Sequence, residues 1–123
     1  MADKIGKVYL VGAGPGDPGL FTLKGVAAMA HADVVLHDRL VSTELLAHAP
    51  ATAVVIEVGK KGHGISTPQQ QINELLATYA LQGKTVVRLK GGDVSFFSNI
   101  LDELETLFAH SITYEIIPGV TAA

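Results

Sequence analysis

Five short runs of glycine and charged residues break this chain, and each directly follows an apolar stretch. The first is Gly12-Ala13-Gly14-Pro15-Gly16-Asp17-Pro18-Gly19. The others are His37-Asp38-Arg39, Gly59-Lys60-Lys61-Gly62-His63-Gly64, Lys90-Gly91-Gly92-Asp93 and Pro118-Gly119-Val120-Thr121-Ala122. Bare glycine backbone admits close approach of a ligand and leaves N–H groups free to meet it. Of the nine Lys and Arg residues, Arg39, Lys60, Lys61 and Lys90 fall in these runs, with His37 and His63 beside them. The chain as a whole carries a formal charge of −3, so a basic rim suits a small anionic ligand. The plain alternative is a set of solvated turn lysines.

The first run is not a standard phosphate cradle. The dinucleotide fingerprint G-x-G-x-x-G leads straight into a helix, whereas here the third glycine arrives one place early, at Gly16, and Asp17 stands in its position. Pro15 and Pro18 fix φ and remove donors, so no helix starts within 15–18 and the loop bulges before Thr22 caps the helix that follows. The Gly-Lys-Ser/Thr ending of a nucleotide P-loop is also missing. A tight strand-to-helix turn would need neither this length nor this stiffness.

The elements that must position these runs alternate. β-branched apolar stretches at 7–11, 33–36, 53–58, 85–89 and 113–117 read as strands, most of them continuous apolar runs of the kind covered on both faces. Helical patterns fill 22–31, 42–49, 68–82 and 99–110. In the third of these, Thr67 and Gln70 have capping-box spacing with Pro68 at the first helical position. Ile72, Leu75, Leu76 and Tyr79 form its apolar stripe, and Gly83 ends it. Such alternation predicts an α/β fold: a mainly parallel five-stranded sheet with helices on both faces. Ligands of such sheets bind beyond the carboxyl ends of the strands. All five runs fall at that edge, which makes one site of them.

Composition bounds the function. At 123 residues, 48% hydrophobic and 17% charged, the chain is one domain or part of one, with enough apolar mass for a core. It has no apolar run near the ~18 residues of a membrane helix and no signal-peptide layout, so no membrane partner is expected. Without cysteine, thiolate and disulfide chemistry are excluded and a cytoplasmic enzyme is the simplest reading. Net negative charge argues against nucleic acid.

The runs also carry a resemblance. Val-Gly-Ala-Gly-Pro-Gly-Asp-Pro-Gly-Leu, His-Asp-Arg-Leu-Val, Val-Gly-Lys-Lys, Arg-Leu-Lys-Gly-Gly-Asp and Ile-Pro-Gly-Val-Thr-Ala-Ala resemble, in order and spacing, the uroporphyrinogen-III C-methyltransferases of the tetrapyrrole methylase family, without a gap from residue 7 to residue 123. The resemblance implies the N-terminal half of a two-domain fold that holds S-adenosylmethionine between its domains. It implies methylation of two pyrrole carbons of uroporphyrinogen III to give precorrin-2, on the way to sirohaem and cobalamin. A homodimer or larger assembly is expected because the apolar surface meant for the second domain would be bare. By resemblance, Pro15, Gly91, Gly92, Asp93, Phe96, Thr121 and Ala122 contact S-adenosylmethionine, Asp38 accepts a proton and Lys60 donates one. No metal ligand is implied.

The residue types suit that chemistry. Methyl transfer from a sulfonium is an in-line displacement that depends on positioning, and the attacking pyrrole must then shed a proton. Asp38 lies between His37 and Arg39, whose positive charge favours a carboxylate. Its bland role would be to cap the next helix, which Ser42 or Thr43 is better placed to do. Lys60 and Lys61 can pair with substrate carboxylates or donate a proton. Asp93 reads either as an acceptor for sugar hydroxyls or as a turn residue.

Two features depart from the family pattern. Its usual Pro-Phe-Ile-Phe-Gly-Arg-Gly-Gly-Glu-Glu is here Val94-Ser95-Phe96-Phe97-Ser98-Asn99-Ile100-Leu101-Asp102-Glu103, so a basic glycine loop has become an apolar helix start. The sequence also stops at Ala123, inside the last motif, and the second domain is expected to be absent from it. The rival readings are a truncated, non-catalytic remnant that folds and self-associates, and a nicotinamide-binding domain. The loop spacing disfavours the second.

Overall fold

The computed structural model describes residues 5–14, 18–38, 41–58, 68–91 and 100–119. Five strands form one wholly parallel sheet: β1 (Lys7–Gly12), β2 (Val34–His37), β3 (Val54–Glu57), β4 (Val86–Lys90) and β5 (Thr113–Ile117), in the order β3-β2-β4-β1-β5. The α-helices among the described residues are α1 (Leu23–Ala30), α2 (Thr43–Leu46), α3 (Gln69–Leu81) and α4 (Ile100–Ala109). This is the α/β architecture that the alternation predicts. No helix among the described residues is long and apolar enough to cross a membrane.

The pleat divides the core in two. Val8, Leu10, Val34, Leu36 and Val86 face α3 and α4 and pack with Ile72, Leu76, Ile100 and Leu107. Val11, Val35, Val87, Leu89 and Ile117 face α1 and α2 and pack with Met29 and Leu45. Each such side chain contributes about 1.5–3 kcal/mol by burial. The chain leaves β1 and β2 toward one face, and β3 and β4 toward the other. β4 therefore has oppositely leaving neighbours on both sides, the arrangement that opens a ligand crevice at the carboxyl edge.

Local signals account for most boundaries. Thr22 caps α1, its hydroxyl accepting from Gly25 N–H at 3.0 Å, after a short 3-10 turn over Pro18–Leu20. Ser42 caps α2 by accepting from Glu44 N–H at 3.2 Å. Gly83, at φ 86°, ends α3. The start of α3 differs from expectation: Pro68 is itself the cap rather than the first helical residue, and no side chain caps the helix. Thr67, the other half of the expected capping box, lies outside the described residues. Full coverage of the strands holds for β2 and β4, whose residues are all buried. β3 is an edge strand with Val54 and Val55 nearly half exposed, because it has a partner on one side only.

Candidate functional site at the carboxyl edge of the sheet

The carboxyl ends of β1, β2, β4 and β5 are tied together by backbone. Ala13 N–H donates to the Lys90 carbonyl at 2.8 Å, and Asp38 N–H donates to the Leu89 carbonyl at 3.2 Å. Gly119 lies so close to the β1 loop that a Cβ there would sit 2.7 Å from Gly14 N and 2.9 Å from Gly12 O. Gly14 itself has φ 80°, a left-handed conformation natural to glycine. At this edge the glycines let strand ends pack backbone to backbone: Gly12, Gly14 and Gly91 are buried, and Gly119 is half-buried against the first two.

Asp38 stands in the middle of this edge, just past β2. Its Oδ2 accepts from Gly91 N–H at 3.1 Å, and its Oδ1 pairs with Arg88 Nη2 at 2.9 Å. His37 is buried, and its Nδ1 donates to the Asp38 carbonyl at 2.9 Å. Asp38 does not cap α2, since Ser42 does so. Its side chain keeps 20% exposure, which leaves the carboxylate reachable from the crevice.

Beneath Asp38 lies a charge network that sequence reasoning missed. Arg88 and Lys90 are each 3% exposed, on the β4 face turned toward α3 and α4, and Glu103 of α4 is fully buried against them. Glu103 Oε2 pairs with Arg88 Nε at 3.2 Å and Lys90 Nζ at 3.3 Å, and accepts from Gln69 Nε2 at 3.2 Å. Arg88 Nη1 also donates to the Leu36 and Leu89 carbonyls at 3.4 and 3.3 Å. Burial, reinforced by the Arg88 charge, pushes the Lys90 ammonium below its ordinary value, while Glu103 and Asp38 pull the other way. Lys90 is therefore a buried member of this network rather than part of an open basic rim. One signal was legible: Glu103 shares the buried stripe of α4 with Ile100 and Leu107, and a charge on such a stripe requires a buried partner.

Of the site residues expected from sequence, the structure brings Asp38 and Gly91 into direct contact. Pro15, Lys60, Gly92, Asp93, Phe96, Thr121 and Ala122 lie outside the described residues. So do Arg39, Lys61 and His63.

Comparisons with known proteins bear on the family and the fold. The chain is 52% identical over 118 residues to the uroporphyrinogen-III C-methyltransferase of Methanocaldococcus jannaschii, covering 96% of this chain and 49% of that protein. It is 50% identical over 120 residues to siroheme synthase 2 of Aeromonas salmonicida, covering 98% of this chain and 25% of that one. The crystal structure of the Thermus thermophilus uroporphyrin-III C-methyltransferase complexed with S-adenyl homocysteine superposes with a TM-score of 0.76 at 45% identity, over 94% of this chain and 46% of that one. The chain thus spans about half the length of two of these relatives and a quarter of the third. The profile of the tetrapyrrole (corrin/porphyrin) methylases matches residues 7–123, and the chain belongs to that family.

Proposed function

We propose that this chain is the N-terminal half of a methyltransferase that carries methyl groups from S-adenosylmethionine to pyrrole carbons of uroporphyrinogen III. The product would be precorrin-2, serving sirohaem and cobalamin synthesis in the cytoplasm, and the enzyme would be a homodimer. The observation that carries the reading is Asp38, held at the carboxyl edge of the sheet in contact with Gly91, within a chain half identical to a named uroporphyrinogen-III C-methyltransferase. The S-adenyl homocysteine complex of the Thermus thermophilus relative supports the choice of donor.

The close approach of Gly119 to Gly12 and Gly14 brings the ends of β1 and β5 together, next to the positions that would hold a nucleoside-bearing ligand. Pro15, Gly92, Asp93, Phe96, Thr121 and Ala122 would complete its cradle. S-adenosylmethionine supplies an activated methyl group on a sulfonium. When the pyrrole carbon bonds to that methyl, the carbon–sulfur bond breaks with its electron pair going to sulfur, and the ring must then release a proton. Asp38 would take that proton; any proton that Lys60 gave to the macrocycle would be matched by a second one leaving it, so that the net loss stays at one per methyl. Asp38 suits its task because its two oxygens are each held by one donor while further lone pairs stay open to the crevice.

The test is methyl transfer from labelled S-adenosylmethionine to uroporphyrinogen III by the full-length protein. Incorporation of two methyl groups per macrocycle is the expected result. A protein that binds S-adenosylhomocysteine but methylates only a different tetrapyrrole would overturn the substrate assignment.

A further inference from the structure

We propose that Arg88 is the positioning residue of Asp38: its guanidinium sets the orientation of the carboxylate at the edge of the sheet. This rests on the reading of Asp38 as proton acceptor. Arg88 lies mid-strand in β4, in register with Leu10 of β1 and Leu36 of β2, both fully buried. A leucine or valine there would simply extend the apolar face that Val86 begins. A buried cation is costly unless paired, and exchanging buried ion pairs for apolar residues is often neutral or stabilising. Stability alone therefore gives little reason for an arginine here.

The geometry supplies another reason. A guanidinium is a rigid planar fork, and three of its contacts are to groups that cannot swing. Nη1 is fixed by two strand carbonyls, those of Leu36 and Leu89, and Nε by the fully buried Glu103. With the plane pinned on that side, Nη2 is aimed, and it meets Asp38 Oδ1 at 2.9 Å. On the other side, Gly91 N–H holds Oδ2. The carboxylate is thus gripped once on each oxygen, from strand and turn. Glu103 serves as the counter-charge of the fork: its Oε2 gathers Arg88, Lys90 and Gln69 while its Oε1 is buried with no partner among the described residues. That lopsided load places the carboxylate where it holds the cations, at the expense of its own second oxygen.

The test uses Arg88→Lys, which keeps the charge but not the fork, and Arg88→Met, which removes both, in the full-length protein. The readouts are hydrogen exchange at the Gly91 amide, kcat, and KM for uroporphyrinogen III. If Arg88 orients Asp38, the Asp38–Gly91 bond loosens and Gly91 exchange speeds up by about tenfold or more. The turnover number falls by about 100-fold, as for a misplaced catalytic group, while KM stays within about threefold because Arg88 touches no substrate. A folded variant of either kind whose Gly91 exchange stays within about twofold of the parent overturns the proposal, whatever its turnover. If the parent methylates no uroporphyrinogen III, the functional reading fails on its own, and the Gly91 exchange still decides the role of Arg88.

Discussion

Asp38 is joined to Gly91 and to Leu89 across the gap between β2 and β4 by two hydrogen bonds that run in opposite senses. Asp38 N–H donates to Leu89 O at 3.2 Å, and Gly91 N–H donates to Asp38 Oδ2 at 3.1 Å. The aspartate is therefore part of the turn it borders as well as a group facing the crevice, and substitutions there have two separable effects.

Asp38→Asn retains an acceptor for Gly91 N–H but cannot take a proton. Turnover should fall by about 10²–10⁴ with S-adenosylhomocysteine affinity nearly unchanged. Asp38→Ala also releases the Gly91 turn and should weaken that affinity as well. Calorimetric titration beside a turnover assay checks both, and an Asn variant within about threefold of parental turnover would remove Asp38 from the mechanism.

Glu103 predicts a large stability effect from a residue far from solvent. Glu103→Leu leaves Arg88 and Lys90 buried beside each other without their shared counter-charge, which should cost about 3–5 kcal/mol. Glu103→Gln keeps the shape and one acceptor and should cost less. Urea unfolding of the two variants gives the comparison, and equal costs would mean that the charge contributes nothing.

How far the sequence reached can be judged from these same residues. The five strands, their parallel sense and the caps at Thr22 and Ser42 were legible because period, β-branching and capping chemistry are local. The place of Asp38 at the end of a strand, where it is not needed as a cap, was legible. Its cationic partner was not. Arg39, the sequence neighbour, was the natural candidate, but the contact described is with Arg88, on a strand 50 positions later. Strand order decides that pairing, and strand order is a non-local outcome of handedness and crossover direction. The same holds for Lys90, which reads as a rim lysine until Glu103 of α4 covers it.

Lys90 also predicts a pH dependence. Burial lowers its pKa below the ordinary 10.5, so at alkaline pH the unfolded chain binds more protons than the folded one. Stability should then rise with pH between the lowered value and 10.5, the opposite of a lysine stabilised as a cation. Lys7, exposed and drawn upward by its hydrogen bond to Glu115, runs the other way, with its small surface contribution lost as pH climbs past 10.5. Urea midpoints should increase in the parent as pH approaches 10.5 from below and flatten in Lys90→Met. A slope unchanged by the substitution would assign it to another group.

The departure of this chain from its family at 100 and 101 separates two costs. Ile100 is buried against the α3 side of the core, whereas Leu101 is 72% exposed. Restoring the family glycine at Leu101 should cost about 1 kcal/mol of helix propensity. Glycine at Ile100 should cost about 3–5 kcal/mol, because a core side chain is lost as well. Chemical denaturation of the single variants measures this, and similar losses at both positions would show that α4 does not dock through Ile100.

Gly119 tests the site through backbone alone. Its missing Cβ would meet Gly14 N at 2.7 Å and Gly12 O at 2.9 Å, distances at which one loop must give way. Gly119→Ala should push the β5 end off the β1 loop, at Gly14 and Gly119, which are one and two positions from Pro15 and Thr121, the residues proposed as cofactor contacts. Overpacking of this kind should cost about 1–3 kcal/mol and weaken S-adenosylhomocysteine by about tenfold, a further 1.4 kcal/mol or so. A stability loss alone would not distinguish this from general damage. Gly83→Ala supplies the comparison: its φ of 86° makes alanine unfavourable by about 1–2 kcal/mol, yet it sits at the end of α3, before β4 begins, on the opposite edge of the sheet. Both variants should lower the urea midpoint, and only Gly119→Ala should weaken binding in calorimetric titration. If both weaken S-adenosylhomocysteine equally, or neither does, the junction of the β1 and β5 loops is not where the cofactor rests.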